Sequence, residues 1–335
     1  MNSKSGTLSN LDSRVGAVLR KYAPQMILIA LVIFFSILSP NFMTTQNIII
    51  IIRQISFVAI SAVGLMFVMV GGGIDLSIGS QIILTNVVLS IMLAYWHVPV
   101  IIAIPITLLL GTLLGVFNGF LSIKLKVHPL IVTLGTAAIY KGVGYIIAAS
   151  RNIMGFPDIF RWFGQGYIGP IPVPVIIMII VALIGNFVLT RTYFGRFTFA
   201  LGGNEEAARL AGVNTNWMKV VLFSICGFIS GITSVLLLSR VFTGQVATGA
   251  GIEFDCLTAA LLGGVSFKGG EGSIFGLMTG VLIIGVLNNA MQLASFPDFS
   301  QNVVKGAVLL AAVGLDVYQK NRKAKETVER VAVAA

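Results

Sequence analysis

Apolar runs of the length that crosses a bilayer, about 20 residues, recur along this chain near 25–40, 48–70, 78–96, 99–123, 129–149, 172–190, 216–240, 273–294 and 301–317. One more run, "CLTAALLGGVSF" at 256–267, has about a dozen residues and suits a tilted, broken or re-entrant helix. With it, the pattern predicts an all-α integral membrane protein of about ten transmembrane segments. Two connections are long. "SRNIMGFPDIFRWFGQGYIGPIP" (150–172) is aromatic and contains proline, whereas "RTYFGRFTFALGGNEEAARLAGVNTN" (191–216) has soluble-helix character. In the latter, Asn204 reads as an N-cap, Glu205 and Glu206 as first-turn acids, and Gly212 as a stop. It is expected to be a short surface helix between two membrane helices, serving as a plain connector or as a docking element for a cytoplasmic partner.

Composition agrees with the membrane reading. Of 335 residues, 56% are hydrophobic and 10% charged, with mean hydropathy +0.96; soluble domains carry about 25% charged residues. The net charge of +10 would suggest nucleic acid in a soluble protein. In a membrane protein it marks cytoplasmic loops and contact with anionic lipid. With the N-terminus inside and ten crossings, Lys4, Arg14, Arg20, Lys21, Lys124, Lys126, Arg191, Arg196, Arg209, Lys219, Lys268, Lys320, Arg322, Lys323, Lys325 and Arg330 fall on the cytoplasmic side, sixteen of the 22 Lys and Arg. Dropping the short run would put the basic C-terminal tail outside. The organisation expected is a cytoplasmic segment 1–24, a membrane domain 25–318 with its inner loop at 191–216 and outer loop at 150–172, and a basic cytoplasmic tail 319–335. The first apolar run follows basic residues as in a signal peptide. It lacks a small-x-small cleavage site and reads as an uncleaved first helix.

The sharpest interruption is "VMVGGGIDLSIGS" (68–80), where three glycines, Asp75 and Ser77 stand between two apolar runs. Glycine allows the turn. Asp75 or Ser77 can cap the new helix, and the acid can equally border a translocation cavity, since a carboxylate at depth must be paired or wetted. "GIDLSIGSQIIL" (73–84) is echoed by "GIEFDCLTAALL" (251–262). By the charge-based sides the two turns face opposite ways, so the halves would form an inverted repeat, an arrangement common in transporters.

Catalytic chemistry is missing. There is no GxxxxGK[ST] phosphate loop, HExxH, GxSxG or CxxC. His97 and His128 make no dyad, and Cys226 and Cys256 read as packing residues. No metal-ligand set is expected. The clearest mid-span charges, Arg53, Lys141 and Lys305, are all cationic. That argues against a proton- or sodium-coupled carrier, which keeps acidic relays in its spans.

The ordered set "GGIDLSIGS", "GVFNGFLSIKLKVHPLIVTLGT" (115–136), "GRFTFALGGNEEAARLAGV" (195–213), "GAGIEFD" (249–255) and "LLGGVSFKGGEGSIFG" (261–276) resembles the permease subunits of bacterial ATP-binding-cassette sugar importers, most of all the ribose/xylose/arabinose/galactose group. The likeness runs from about residue 35 to 318. It implies a type II-like importer permease in the bacterial inner membrane, working as a homodimer or heterodimer. A periplasmic or lipid-anchored binding protein would deliver a monosaccharide, a pentose such as ribose. A separate cytoplasmic ATPase would hold ATP and Mg and drive alternating access, so this chain needs no cofactor and is not itself an enzyme. The resemblance makes Asn204, Glu205, Glu206, Ala207, Ala208, Arg209, Leu210, Ala211, Gly212 and Val213 the coupling helix. It makes Asp75, Ser77, Asn118, Thr133, Glu253 and Asp255 candidates for the sugar path; Asn118 and Thr133 read equally as interhelical hydrogen-bonding groups, and Glu253 and Asp255 as caps of the short helix or contacts for the binding protein. Ile252 stands where the family often has an aromatic, and "CLTA" replaces its usual alanine and isoleucine run, which loosens any transfer of substrate identity. The alternatives are a permease for another small polar solute (a nucleoside, an autoinducer sugar, an amino acid), an ion-coupled secondary carrier, which needs no docking helix, and an intramembrane enzyme, which the motifs disfavour.

Overall fold

In hydrocarbon each backbone N–H and C=O must be satisfied within the protein, so the apolar runs have no choice but helix. A computed structural model describes residues 24–297, 299–314 and 317. The tail 319–335 and nearly all of the N-terminal segment 1–24, with their basic residues, lie outside the described residues. The helices are α1 (Pro24–Leu38), α2 (Thr45–Val70), α3 (Ile78–Ala94), α4 (Val100–Leu125), α5 (Pro129–Ala148), the single turn α6 (Trp162–Gln165), α7 (Val173–Arg191), α8 (Tyr193–Gly203), α9 (Glu205–Leu210), α10 (Thr215–Val241), α11 (Ile252–Leu262), α12 (Ile274–Leu293) and α13 (Phe299–Gly314). A two-residue hairpin, β1 (Tyr167–Ile168) and β2 (Ile171–Pro172), closes the loop before α7.

Six helices, α2, α4, α5, α7, α10 and α12, are long and apolar enough to cross a membrane. The other four predicted runs form the shorter helices α1, α3, α11 and α13. The short run begins earlier than its hydropathy suggests, at Ile252 rather than near 256, because Gly251 (φ +86) sets the turn before it. It stops at Leu262, where Gly263 and Gly264 (φ +80) follow. Its eleven residues rise only about 16 Å, half the hydrocarbon thickness.

Of the six long helices, α2, α10 and α12 are interior, with 61%, 61% and 72% of their most apolar windows buried against 22–28% for α4, α5 and α7; the shorter α3 and α11 are buried along most of their length as well. Helix α2 packs on α10, α11 and α12, while α10 packs on α2, α3 and α4. The α4–α10 contact is drawn close by glycine. A side chain at Gly111 would overlap the Gly227 carbonyl, one at Gly227 the Gly111 carbonyl, and one at Gly115 the Phe223 carbonyl. Small residues at this spacing let membrane helices meet backbone to backbone. Two polar contacts fix α2 in place. Asn47 and Asn289 exchange amide hydrogen bonds of 2.9 and 2.8 Å, and the Ser61 and Thr233 hydroxyls lie 2.9 Å apart. Cys226 and Cys256 are buried free thiols, as packing residues should be.

The connection 191–216 holds more helix than its sequence announces. Besides α9, residues 193–203 form α8, which starts where the Thr192 hydroxyl accepts from Gly195 N at 3.2 Å. The loop 150–172 is pinned to the connection after α10 by a bridge between Ile153 and Gly244.

Candidate transport and docking sites

The glycine break after α2 ends in a closed polar network. Gly71 finishes α2, Gly72 turns at φ +84, and Asp75 follows, fully buried. Its Oδ1 accepts from Ser77 N at 2.9 Å and from Ser77 Oγ at 2.6 Å, and its Oδ2 accepts from Gln81 Nε2 at 3.0 Å. Ser77 Oγ in turn accepts from Asn118 Nδ2 of α4 at 2.7 Å, and Asn118 Oδ1 accepts from the Tyr140 hydroxyl of α5 at 2.9 Å. Thr133 Oγ1 donates to Ile74 O and accepts from Leu76 N. Four of the residues singled out in sequence, Asp75, Ser77, Asn118 and Thr133, thus meet at one place, each with no exposed surface. The capping expectation is corrected in detail. Ser77 occupies the N-cap of α3 but makes no side-chain cap bond, and Asp75 takes the N–H of Ser77 itself rather than one inside the helix.

Glu253 and Asp255 lie on the first turn of α11. Neither caps it, because Gly251 holds the N-cap without a side chain. Asp255 Oδ2 pairs with Lys305 Nζ of α13 at 2.9 Å and lies 3.4 Å from Asn288 Nδ2 of α12. The starts of α3 and α11 abut: a side chain at Gly79 would collide with the Glu253 carboxylate and lie 2.8 Å from Gly249 O. The two acid-bearing breaks, far apart in sequence, are neighbours in space. Beside Asp255, a cavity of about 550 Å³ opens between Gly251, Phe254, Asn302, Lys305 and Leu309.

The surface segment behaves as its sequence predicts. Asn204 Oδ1 caps α9 by accepting from Ala207 N at 3.0 Å, and Gly212 at φ +86 follows its end. Glu205 pairs with Lys219 at 2.6 Å and Glu206 with Arg209 at 2.7 Å. Around it Tyr193, Leu210 and Trp217 are 73%, 80% and 64% exposed, an apolar display on an otherwise charged surface. A cavity of about 580 Å³ beside α9 is lined by Gly71–Gly73, Lys126–Pro129, Asn204, Glu205, Lys219 and Lys268. Among the described residues no group of three or more His, Cys, Asp or Glu could hold a metal.

A family model described as the permease component of a branched-chain amino acid transport system matches residues 47–313. The chain belongs to this permease family. It is 38% identical over 314 residues to the ribose import permease protein of Haemophilus influenzae, covering 92% of this chain and 97% of that protein. It is 40% identical over 301 residues to the ribose import permease protein of Bacillus subtilis, covering 89% and 93%. With the L-arabinose transport system permease protein of Escherichia coli it shares 39% over 319 residues, covering 93% and 94%. No solved structure matches it.

Several partners in the permease's polar clusters escape a reading of the sequence. Gln81 and Tyr140 complete the Asp75 network, and Lys305 and Asn288 complete that of Asp255. Gln81 could have been found, for it stands one helical turn after Ser77. Tyr140, Lys305 and Asn288 reach their partners from other helices, which no local spacing reveals. A glycine junction is the larger omission. The break Gly71–Gly73, the end of α8 at Gly202–Gly203 and the loop at Gly269–Gly270 touch main chain to main chain. Gly270 N donates to Val70 O at 2.9 Å. A side chain at Gly269 would lie 2.7 Å from Gly72 Cα, and one at Gly270 2.9 Å from Gly203 Cα.

Proposed function

We propose that this permease carries a monosaccharide, a pentose such as ribose, inward across the bacterial inner membrane, powered by a separate ATP-binding-cassette ATPase. The observation that carries the reading is the near full-length likeness to permeases named for ribose and arabinose. A relative named for D-allose is 38% identical over 298 residues, which widens the class to aldoses. The family description names branched-chain amino acids, so the amino-acid reading is the one to test against the sugar.

In this reading two permease copies, or this chain and a sister, enclose the path. A periplasmic or lipid-anchored binding protein supplies sugar at the 150–172 face, and the ATPase docks on Asn204–Val213. The chain crosses about ten times with both ends in the cytoplasm. The segments assigned inside, 126–129, 204–205, 219 and 268, line one cavity, and Ile153 pairs with Gly244 in two loops assigned outside. The inverted repeat is supported by part of the packing: exchanging α2, α3 and α4 for α10, α11 and α12 maps the contacts of α2 with α10, α11 and α12 onto those of α10 with α2, α3 and α4, while the α2–α7 contact has no such counterpart. The sequence echo does not hold residue for residue, since α11 starts directly after Gly251 and α3 five residues after Gly73.

Movement follows from the junction. When the cassettes close on ATP, α9 moves with them, and Gly202–Gly203 transmits the shift by main-chain contact to the break before α3 and to the loop that joins α11 to α12. These are the two broken helices whose starts abut. Asp75, Ser77, Asn118 and Thr133 hold the first break to α4 and α5, and Glu253, Asp255 and Lys305 flank the second, so both border the sugar's route between conformations.

The test is purification from the native host in mild detergent, followed by uptake into vesicles. An ATPase subunit should co-purify in stoichiometric amount, be released by Glu205→Arg with Leu210→Asp, and drive uptake of labelled ribose rather than leucine. Leucine uptake would transfer the reading to amino acids, and gradient-driven uptake without an ATPase would replace it with a secondary carrier.

A further inference from the structure

On the face opposite α9, two cations go unanswered by any carboxylate. Arg53 stands eight residues into α2, and Arg240 is in the last turn of α10. They are close enough to repel each other. Nε and one terminal nitrogen of Arg53 are buried and make no hydrogen bond. Among the described residues every ion pair belongs to other side chains, and the Arg53 guanidinium has only the Tyr167 ring, 4.7 Å away, as a charge-accepting neighbour. Both arginines line a cavity of about 330 Å³, together with Gln54, Gln292, Ile50, Phe57 and Leu237.

The chemistry of this pocket is donor-rich. Two guanidinium forks suit a bidentate oxyanion; Arg240 is exposed, and it is the two buried Arg53 nitrogens whose lack of an acceptor is costly. Depth selects the source. Helix α2 is 26 residues long, about 39 Å against about 30 Å of hydrocarbon, so if centred it projects about 4–5 Å at each end. Arg53 lies about 12 Å from its start, hence about 7–8 Å below the boundary, a depth from which its long side chain snorkels toward the headgroups. A soluble anion has no use for the apolar part of this lining, Ile50, Phe57 and Leu237, whereas a lipid brings a phosphate and an acyl chain together.

We propose that the Arg53–Arg240 pocket binds the phosphate headgroup of an anionic phospholipid in the leaflet remote from the docking helix. The site is independent of which solute the permease carries.

Delipidated full-length permease would be titrated with phosphatidylglycerol, phosphatidylcholine or inorganic phosphate alone, read by native mass spectrometry and by melting temperature. The wild type should retain phosphatidylglycerol over phosphatidylcholine and melt higher in its presence. Arg53→Gln with Arg240→Gln should weaken retention about fivefold per arginine and abolish the stabilisation. Without lipid it should melt no lower than wild type, because it removes unpaired charge. Arg53→Lys, which keeps the charge and loses the fork, should fall between. Equal phosphatidylglycerol retention in the double glutamine variant overturns the proposal, as does full stabilisation by inorganic phosphate. Loss of binding-protein affinity in that variant with lipid retention unchanged would assign the arginines to a protein carboxylate instead.

Discussion

Alanine at Gly202 puts the junction to a direct test. The new methyl would overlap the Val70 carbonyl oxygen and lie 2.5 Å from Gly270 N and 2.9 Å from the Val70 carbonyl carbon. None of these atoms is the free end of a side chain, so the backbones must part. Overpacking of this kind costs about 1–3 kcal/mol. The wedge also falls on the 2.9 Å bond from Gly270 N to Val70 O, and a buried donor left without acceptor costs about 1–3 kcal/mol more. Alanine's better helix propensity returns up to about 1 kcal/mol, leaving a net loss of about 1–5 kcal/mol. A typical domain has only about 5–15 kcal/mol in total. The neighbouring Gly203 is the control, since a side chain there meets nothing within 4 Å and alanine should stabilise by about 0.5–1 kcal/mol. The two variants and the wild type would be heated in mild detergent and the monodisperse fraction followed by size-exclusion chromatography. Gly202→Ala should lose that fraction several degrees early, and Gly203→Ala at or above the wild-type temperature. Equal behaviour of the two variants would refute the main-chain contact and the transmission route built on it.

Asp75→Ala strips the acceptor from Ser77 N and from the Ser77 hydroxyl, while Gln81 Nε2 keeps its bond to Ser77 Oγ, and should destabilise by about 1–3 kcal/mol for each buried group left unpaired. Asp75→Asn should be much milder, because Gln81 Oε1 is buried without a partner and can accept from the new amide; equal melting losses for the two would show that charge, not hydrogen bonding, matters there. Lys305→Met leaves Asp255 without its cation and should cost roughly 1–3 kcal/mol, less than the full penalty of a wholly buried pair because Lys305 is 26% exposed. Adding Asp255→Asn should restore most of it, and failure to do so in a double-mutant melting series would mean that Lys305 acts through packing.

The parts of the permease legible in its sequence are those governed by local rules. Run length gives the helices, and Asn204 and Gly212 give α9, because caps and stops act within a few residues. The clustering of Asp75 with Ser77 is local too. Their union with Asn118 and Thr133 is not, since it depends on how α3, α4 and α5 pack. Helix α8 is missed because "YFGRFTFALGG" mixes aromatics with three glycines, poor helix formers that tertiary packing overrides here. The start of α11 is missed because Glu253 and Asp255 look like loop residues, although acids favour the first turn of a helix. The glycine junction is invisible for a different reason: sequence shows where a backbone can come close, and only the fold shows to what.

The position of α2 at the centre of the permease has a consequence for its synthesis. Its partners are made late: Thr233 comes 172 residues after Ser61, and Asn289 comes 242 residues after Asn47. At about 5–20 residues per second, α2 waits roughly ten to thirty-five seconds in the membrane before Thr233 exists, and up to about fifty before Asn289 does. In that interval lipid or an insertion chaperone must occupy the faces later taken by α10 and α12. The run "IIIII" at its N-terminal half suits that wait better than it suits the finished interior, where a one-sided helix would have served. The side-chain oxygen of Asn47 is then the last of these groups to be satisfied, for its amide nitrogen already has Phe42 O as a local acceptor. A chain that stops before α10 leaves that oxygen without the Asn289 amide that answers it in the finished fold.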